Sequence, residues 1–275
     1  MPDAPPTVLA FAPTDPTGGA GLQADLLTLA AMGCHPLTVA TGISVRDTAG
    51  LEALMPLDSG LVADQARQVL EDMPVSAFKV GMVGTIDNAA AIAAVVADYP
   101  DVPMVLDPAL AEAGGDQFDA DELAGGLADL LVPLATLVVA NAGEARRLAQ
   151  TGEDDDEPDA AESAARLLAA GADYVLVTGA EETPHEIVNT LYAKSGAVRS
   201  DRWERLPGSF HGAGATLAAA VAAAVANGLA IPEAVHDAQE YAWQALAAAF
   251  RPGMGHRVPD RFFWARELED AKDPA

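Results

Sequence analysis

Short apolar runs, many of them β-branched, alternate along this chain with longer segments whose apolar positions recur at helical spacing. The runs Thr7–Phe11, Leu37–Thr41, Ala77–Val80, Met104–Leu106, Thr136–Val139 and Tyr174–Val177 read as strands. The intervening segments Ala20–Ala31, Gly60–Glu71, Asn88–Ala97, Ala120–Leu131, Glu144–Gln150 and Ala160–Ala169 read as helices, with Gly33 and Gly171 as C-terminal stops. Ile187–Tyr192 and Ala197–Arg202 form an expected antiparallel hairpin around Ser195-Gly196, and the chain closes on the helical segments Ala213–Ala226 and Pro232–Ala248. This alternation predicts an α/β protein, a central, mainly parallel sheet flanked by helices. The acidic run Glu153–Glu157 is expected to be a solvated loop. With no internal repeat and no long linker, residues 1–275 are expected to form one domain.

Polar residues punctuate this pattern at one recurring place. Asp15 follows the first strand, Arg46-Asp47 the second, Gly81-Met82 the third, Asp107-Pro108 the fourth, Asn141 the fifth and Thr178-Gly179 the sixth. Open α/β sheets bind ligands outside the carboxyl ends of their strands, so these positions outline one crevice.

Composition narrows the guests that crevice can take. The 275 residues are 51% hydrophobic, enough for a large core, and carry a net charge of −26 from 41 acidic against 15 basic residues. A field of that sign repels nucleic acid and anionic membranes. It also leaves an anionic ligand dependent on local dipoles or cations. Lysine occurs only at positions 79, 194 and 272, and an acidic excess with so few lysines suits a chain kept soluble at high salt. Cys34 is the single cysteine, which rules out an intrachain disulfide and a cysteine metal cluster. The first residues show no secretory pattern, and the apolar stretch 217–229 is too short and interrupted to span a bilayer, so the cytoplasm is the expected location.

Two glycine-rich strings carry the chemistry. In Thr14-Asp15-Pro16-Thr17-Gly18-Gly19-Ala20-Gly21-Leu22-Gln23-Ala24-Asp25 the glycines permit positive φ and a close backbone approach to a ligand, just before a helix opens. In His211-Gly212-Ala213-Gly214-Ala215-Thr216 a Gly-x-Gly at a helix start aims successive N–H groups at one point, an anion site by geometry.

The first string resembles the N-terminal signature of the hydroxymethylpyrimidine/phosphomethylpyrimidine kinases of thiamine biosynthesis, in the ribokinase-like superfamily. Further blocks follow in the family's order: Lys79-Val80-Gly81-Met82, Val105-Leu106-Asp107-Pro108, Asn141-Ala142-Gly143-Glu144-Ala145, and Leu206 through Leu217. The similarity runs from about residue 7 to about residue 259. It implies a ribokinase-like three-layer α/β/α fold, a homodimer, and use of ATP and Mg²⁺. It also implies phosphorylation of hydroxymethylpyrimidine, its monophosphate or both. Carried over by position, it makes Gly212, Ala213, Gly214 and Ala215 the anion hole over the transferred group. Asp107, Asn141, Thr178, Gly179, His211 and Thr216 then fall around the nucleotide phosphates, with Glu144 at the metal. Asp15, Gly19, Arg46, Met82 and Ala109 would line the pyrimidine pocket. Asp107 and Glu144 also suit helix entries as caps, and that alternative stays open.

The chain departs from the family where reactivity resides. Ala215 stands where these kinases carry Cys and the wider superfamily Asp, the base that takes the acceptor's proton, and alanine cannot titrate. Arg46 aligns with a pyrimidine-reading Gln. A guanidinium only donates, which suits a phosphate, a carboxylate or the neighbouring Asp47. Val139-Ala140-Asn141 replaces Thr-Pro-Asn, and Thr178 stands where some members have Lys. Two alternatives therefore remain beside the kinase reading. One is an impaired homologue that binds pyrimidine phosphates or nucleotides, and the other is a kinase of a pyridoxal-type alcohol.

Overall fold

The computed structural model describes residues 4–110, 120–150 and 158–265. In chain order the elements are β1 (Thr7–Thr14), α1 (Gly21–Ala31), β2 (His35–Arg46), β3 (Leu51–Pro56), α2 (Ser59–Leu70), β4 (Ala77–Val80), α3 (Ile86–Ala97) and β5 (Met104–Leu106). They continue with α4 (Ala120–Leu130), β6 (Leu137–Asn141), α5 (Ala142–Ala149), α6 (Ala160–Ala170), β7 (Tyr174–Glu182), β8 (Glu186–Ala193), β9 (Gly196–Glu204), α7 (Ala213–Ala226) and α8 (Ile231–Ala247).

All nine strands join one sheet in the order β3-β2-β1-β4-β5-β6-β7-β8-β9. The six from β2 to β7 pair in parallel, while β3 at one edge and β8-β9 at the other are antiparallel. Because β1 lies between β2 and β4, the chain leaves it in opposite directions. This switch point opens a crevice at the carboxyl ends of β1 and β4.

Side-chain alternation on the strands builds two cores. Leu9 and Phe11 of β1 face one way, with Phe78, Val80 and Leu106, and are covered by α2 through α6. Val8, Ala10 and Ala12 face the other way and meet α1, α7 and α8. The β1 residues on that second face are small, and so are most residues of the helix that covers them. Every residue of α7 from Thr216 to Ala224 is buried, and its alanines let it pack against the sheet, α1 and α8 together. The result is a three-layer α/β/α arrangement, built on the mainly parallel sheet flanked by helices that the alternation predicts.

The structure corrects several sequence-derived boundaries. β3 has no counterpart among the expected strands: Leu51-Glu52-Ala53-Leu54-Met55 is rich in helix formers, and pairing with β2 overrides that preference. β2 continues past Thr41 to Arg46, β1 continues to Thr14 across a register shift, and β7 continues to Glu182. The hairpin turns on Lys194-Ser195, since Ala193 pairs with Gly196. α5 begins at Ala142, two residues before the expected start, because Asn141 ends β6 and caps the helix directly. The expected loop Glu153–Glu157 lies outside the described residues. Among the described residues no helix is long and apolar enough to cross a membrane.

Candidate active site

Asp15, one residue beyond β1, organises the first glycine loop. Its Oδ1 accepts from the amide and hydroxyl of Thr17, both at 2.8 Å, and its Oδ2 accepts from the Ala20 amide at 2.7 Å. His211 Nε2 lies 2.7 Å from the same Oδ2, and Arg46 Nε lies 4.0 Å from Oδ1. Arg46 Nη2 is also 3.1 Å from His211 Nδ1. A guanidinium can only donate, so Nδ1 accepts, and Nε2 carries the proton that binds Asp15. Burial on its own would raise the Asp15 carboxyl. The bonds from His211, Thr17 and Ala20 outweigh it and hold the group far below the usual carboxylate range. Asp15 is therefore a fixed anion and a poor proton acceptor.

The two glycine strings meet backbone to backbone. Gly212 has φ +85°, and a Cβ there would come 1.7 Å from the Gly19 carbonyl oxygen; a Cβ on Gly19 would come 2.1 Å from the His211 ring. Only glycine permits this approach. Gly212 is also the N-cap of α7 and brings no side-chain hydrogen bond to it. The first-turn amides, which have no partner within a helix, are thus left facing the crevice. Thr216 closes the turn from behind, its hydroxyl donating to the Gly212 carbonyl at 2.7 Å.

Opposite this cradle a buried ionic group reaches the crevice. Lys79 Nζ lies 3.0 Å from Asp25 Oδ1 on α1 and 3.2 Å from Asp107 Oδ2 just after β5. Burial would lower the lysine, but the two carboxylates outweigh it and raise it, so Lys79 is a permanent cation. Burial pushes Asp25 up to about 6 despite Lys79, with Asp107 adding to the rise. Beside them Asn141 and Glu144 form a reciprocal capping box at α5. The cap alternative thus holds for Glu144, which nonetheless lines the crevice, while Asp107 is tied to Lys79. Ala109 has φ +48°, the one positive φ outside glycine among the described residues, and it also lines the crevice.

Two cavities result. The first, about 310 Å³, is bounded by Asp15, Arg46, Met82, Ala109, Asp107, Asn141 and Glu144, with residues 212–215 along one side. The second, about 330 Å³, contains Thr178 and Gly179 and is mainly apolar, walled by Leu206, Leu217, Leu246, Trp203 and Trp243. The cavities share Asn141, Phe210, Ala213 and Gly214. Three residues expected to face ligand are placed elsewhere. Gly19, His211 and Thr216 lie behind the wall of the first cavity, where His211 and Thr216 spend their polar atoms on Asp15, Arg46 and the Gly212 carbonyl. The Gly179 amide is already bonded to Asn189 Oδ1 at 2.9 Å. Arg46 turns toward Asp15 and His211, while Asp47 accepts from the amides of Ala49 and Gly50.

Sequence reading assigned no role to Asp25, Lys79 or Arg261. For Lys79 a signal existed, since a lysine inside the apolar run Ala77-Phe78-Lys79-Val80 must find buried counter-charges. For Arg261, beyond the resembling region, there was none.

The chain is similar to known proteins over most of its length. The family model described as phosphomethylpyrimidine kinase matches residues 15–260. A hydroxymethylpyrimidine/phosphomethylpyrimidine kinase of Mycobacterium tuberculosis is 37% identical over 255 residues, 92% of each chain. That of Escherichia coli is 30% identical over 91% of this chain and 94% of its own. Among solved structures, the ADP complex of Bacillus subtilis pyridoxal kinase superposes with a TM-score of 0.83 at 28% identity, covering 96% of this chain and 100% of that one. Phosphomethylpyrimidine kinase of Clostridium difficile gives 0.71 at 27% identity, covering 88% and 99%.

Proposed function

The chain belongs to the phosphomethylpyrimidine kinase family, and from that membership we propose that it transfers the terminal phosphoryl group of ATP to the hydroxymethyl group of an aminopyrimidine, to the resulting monophosphate, or to both. The observation that carries this reading is the pair of cavities joined at the bare start of α7. The mainly apolar cavity, with its two indoles, suits a nucleobase. The polar one suits a small ring whose donors and acceptors face Asp15 and Arg46. Ala213 and Gly214 border both cavities and Ala215 the first, so a phosphoryl group passing between them would meet their amides, donors of the kind that stabilise its equatorial oxygens.

The same reading includes Mg²⁺, held by Glu144 with help from Asp107 and Asn141. Among the described residues no group of three or more His, Cys, Asp or Glu could hold a metal alone. Glu144 and Asp107 both line the first cavity, and Mg²⁺ takes one or two carboxylates together with substrate phosphates and water. When bound there, the ion would supply charge neutralisation at the phosphates. Asp15 fixes the acceptor ring, and Lys79 holds the Asp107 carboxylate at the cavity wall. Catalysis by positioning and charge does not depend on a strong base, which is how a kinase with Ala215 can turn over, though slowly. The homodimer belongs to the same proposal. The outer face of the β2–β3 ribbon, where Ile43, Val45 and Met55 are exposed, supports it, and light scattering on the purified chain checks it.

The test is incubation with the aminopyrimidine alcohol or its monophosphate and Mg-ATP, followed by detection of the phosphorylated product. Binding of ADP and pyrimidine phosphate without turnover would instead support a binding homologue, the reading that Ala215 favours. Pyridoxal belongs in the same assay because the pyridoxal kinase superposes with the higher TM-score of the two structures.

A further inference from the structure

Arg261 lies beyond α8, on a segment pinned by the Asp260 amide to the Ala245 carbonyl and by the Tyr241 hydroxyl to its own carbonyl. It is 3% exposed. Its guanidinium spans the two glycine strings. Nη1 donates to the Gly18 carbonyl at 3.1 Å, Nη2 to the Gly19 carbonyl at 2.5 Å, and Nε and Nη2 reach the Thr216 hydroxyl at 3.1 and 2.9 Å. That hydroxyl in turn donates to Gly212, the residue whose backbone touches Gly19. A Cβ on Gly212 would come 3.1 Å from Nη2, so the cation lies directly behind the start of α7.

We propose that Arg261 is the positioning residue of the phosphoryl cradle: it locks the first glycine loop against the α7 entry and places a buried positive charge behind the amides that grip the anion. The proposal rests on the kinase reading and adds to it a source for the cation that Thr178 does not supply. Three features support it. The guanidinium's planar fork matches three acceptors on two separate loops, which a point-charge lysine could not reach together. Among the described residues its hydrogen bonds go to a carbonyl pair and a hydroxyl, with no carboxylate ion-paired to it. Burial pulls it down to about 10, opposed by Tyr241, Asp25 and Asp15, so it remains charged at neutral pH. In a chain of net charge −26, a cation at this point decides whether an anion is attracted to the cradle or repelled.

The experiment compares ADP and adenosine binding by calorimetry in the full chain and in R261Q and R261K, with thermal melts confirming that each is folded. A unit charge within about 7 Å of a bound phosphate, at an effective dielectric of about 20, corresponds to roughly ten- to a hundredfold in affinity. R261Q should therefore weaken ADP at least tenfold and leave adenosine within about twofold, while R261K should keep most of the ADP affinity and lose turnover through poorer loop alignment. A merely structural role would lower both ligands together. If R261Q does not fold, Thr216→Ala replaces it. That change removes the hydroxyl linking the guanidinium to α7, together with one buried methyl, and should weaken ADP severalfold without affecting adenosine. A folded R261Q that binds ADP as the wild type does, or loses adenosine equally, overturns the proposal. A wild-type chain that binds no ADP overturns the kinase reading itself and this inference with it.

Discussion

The substitution Ala215→Cys tests the chemistry of the cradle most directly. Ala215 is the third residue of α7, part-exposed, and lines the first cavity, so a thiol added there extends into open space instead of into the core. Its position on the first helical turn favours the thiolate, because unpaired amides and the helix dipole stabilise negative charge there. A general base contributes roughly 10²–10⁴ in rate, equivalent to about 3–5 kcal/mol of barrier. The expected outcome is a rise in kcat within that range, with ADP affinity changed by less than about threefold. The variant's kcat should also gain a rising limb in its pH profile, at the thiol's titration, that the wild type lacks. Ala215→Ser is the control. It has nearly the same size and cannot serve as a base near neutrality, so its kcat should stay at the wild-type level. Coupled turnover assays with the aminopyrimidine alcohol across pH 6–9 give all three values. If A215C binds both substrates as the wild type does and gains less than twofold in kcat, the vacant position is not what limits the chemistry, and the reasoning from Ala215 is wrong.

Further outcomes can be measured on the same protein. Asp25 lies at about 6 in the folded state against a reference of 3.8, so the native chain binds the extra proton between those values and its stability falls as pH rises through that window, by up to about 3 kcal/mol. Asp25→Asn carries no such proton. Urea unfolding at pH 4 and pH 7 should show the wild type losing stability relative to D25N over that interval, and parallel pH dependences would refute the assignment. Gly18 and Gly212 both have positive φ, but a Cβ on Gly18 meets nothing within 4 Å whereas one on Gly212 meets the Gly19 carbonyl. G18A should therefore cost about 1 kcal/mol and G212A about 4 kcal/mol or the fold itself, as read by denaturant midpoints. The charge of −26 predicts a melting temperature that climbs several degrees between about 0.1 and 2 M KCl, as the screening length falls from roughly 10 Å to under 3 Å. A flat or falling curve would remove self-repulsion as a significant term.

What the sequence made legible, and what it hid, follows from the range of each interaction. The parallel core strands were readable because apolar runs between helical segments have one economical arrangement, and the crevice was readable because polar residues recur at the ends of those strands. β3 was not readable, since its strand state comes from its neighbour β2 and its own residues favour a helix. The same division runs through the site. Residues 212–215 form the start of α7 by local rules alone, a glycine N-cap and a small-residue first turn, and their place in the string was enough to find them. His211 stands next to that string, yet its ring is claimed by Asp15 from 196 positions earlier and by Arg46 from 165 positions earlier. Adjacency in a motif therefore suggested a ligand contact where packing made a strut. Arg261 reverses the case: it lies outside every motif, yet it makes the contacts that join the two loops. An anion cradle built from backbone needs side chains behind it to hold its geometry, and those can come from any part of the chain that the sheet brings near. The residues that line the first cavity are thus the more predictable layer, while those that hold its two glycine loops together emerge only from the folded structure.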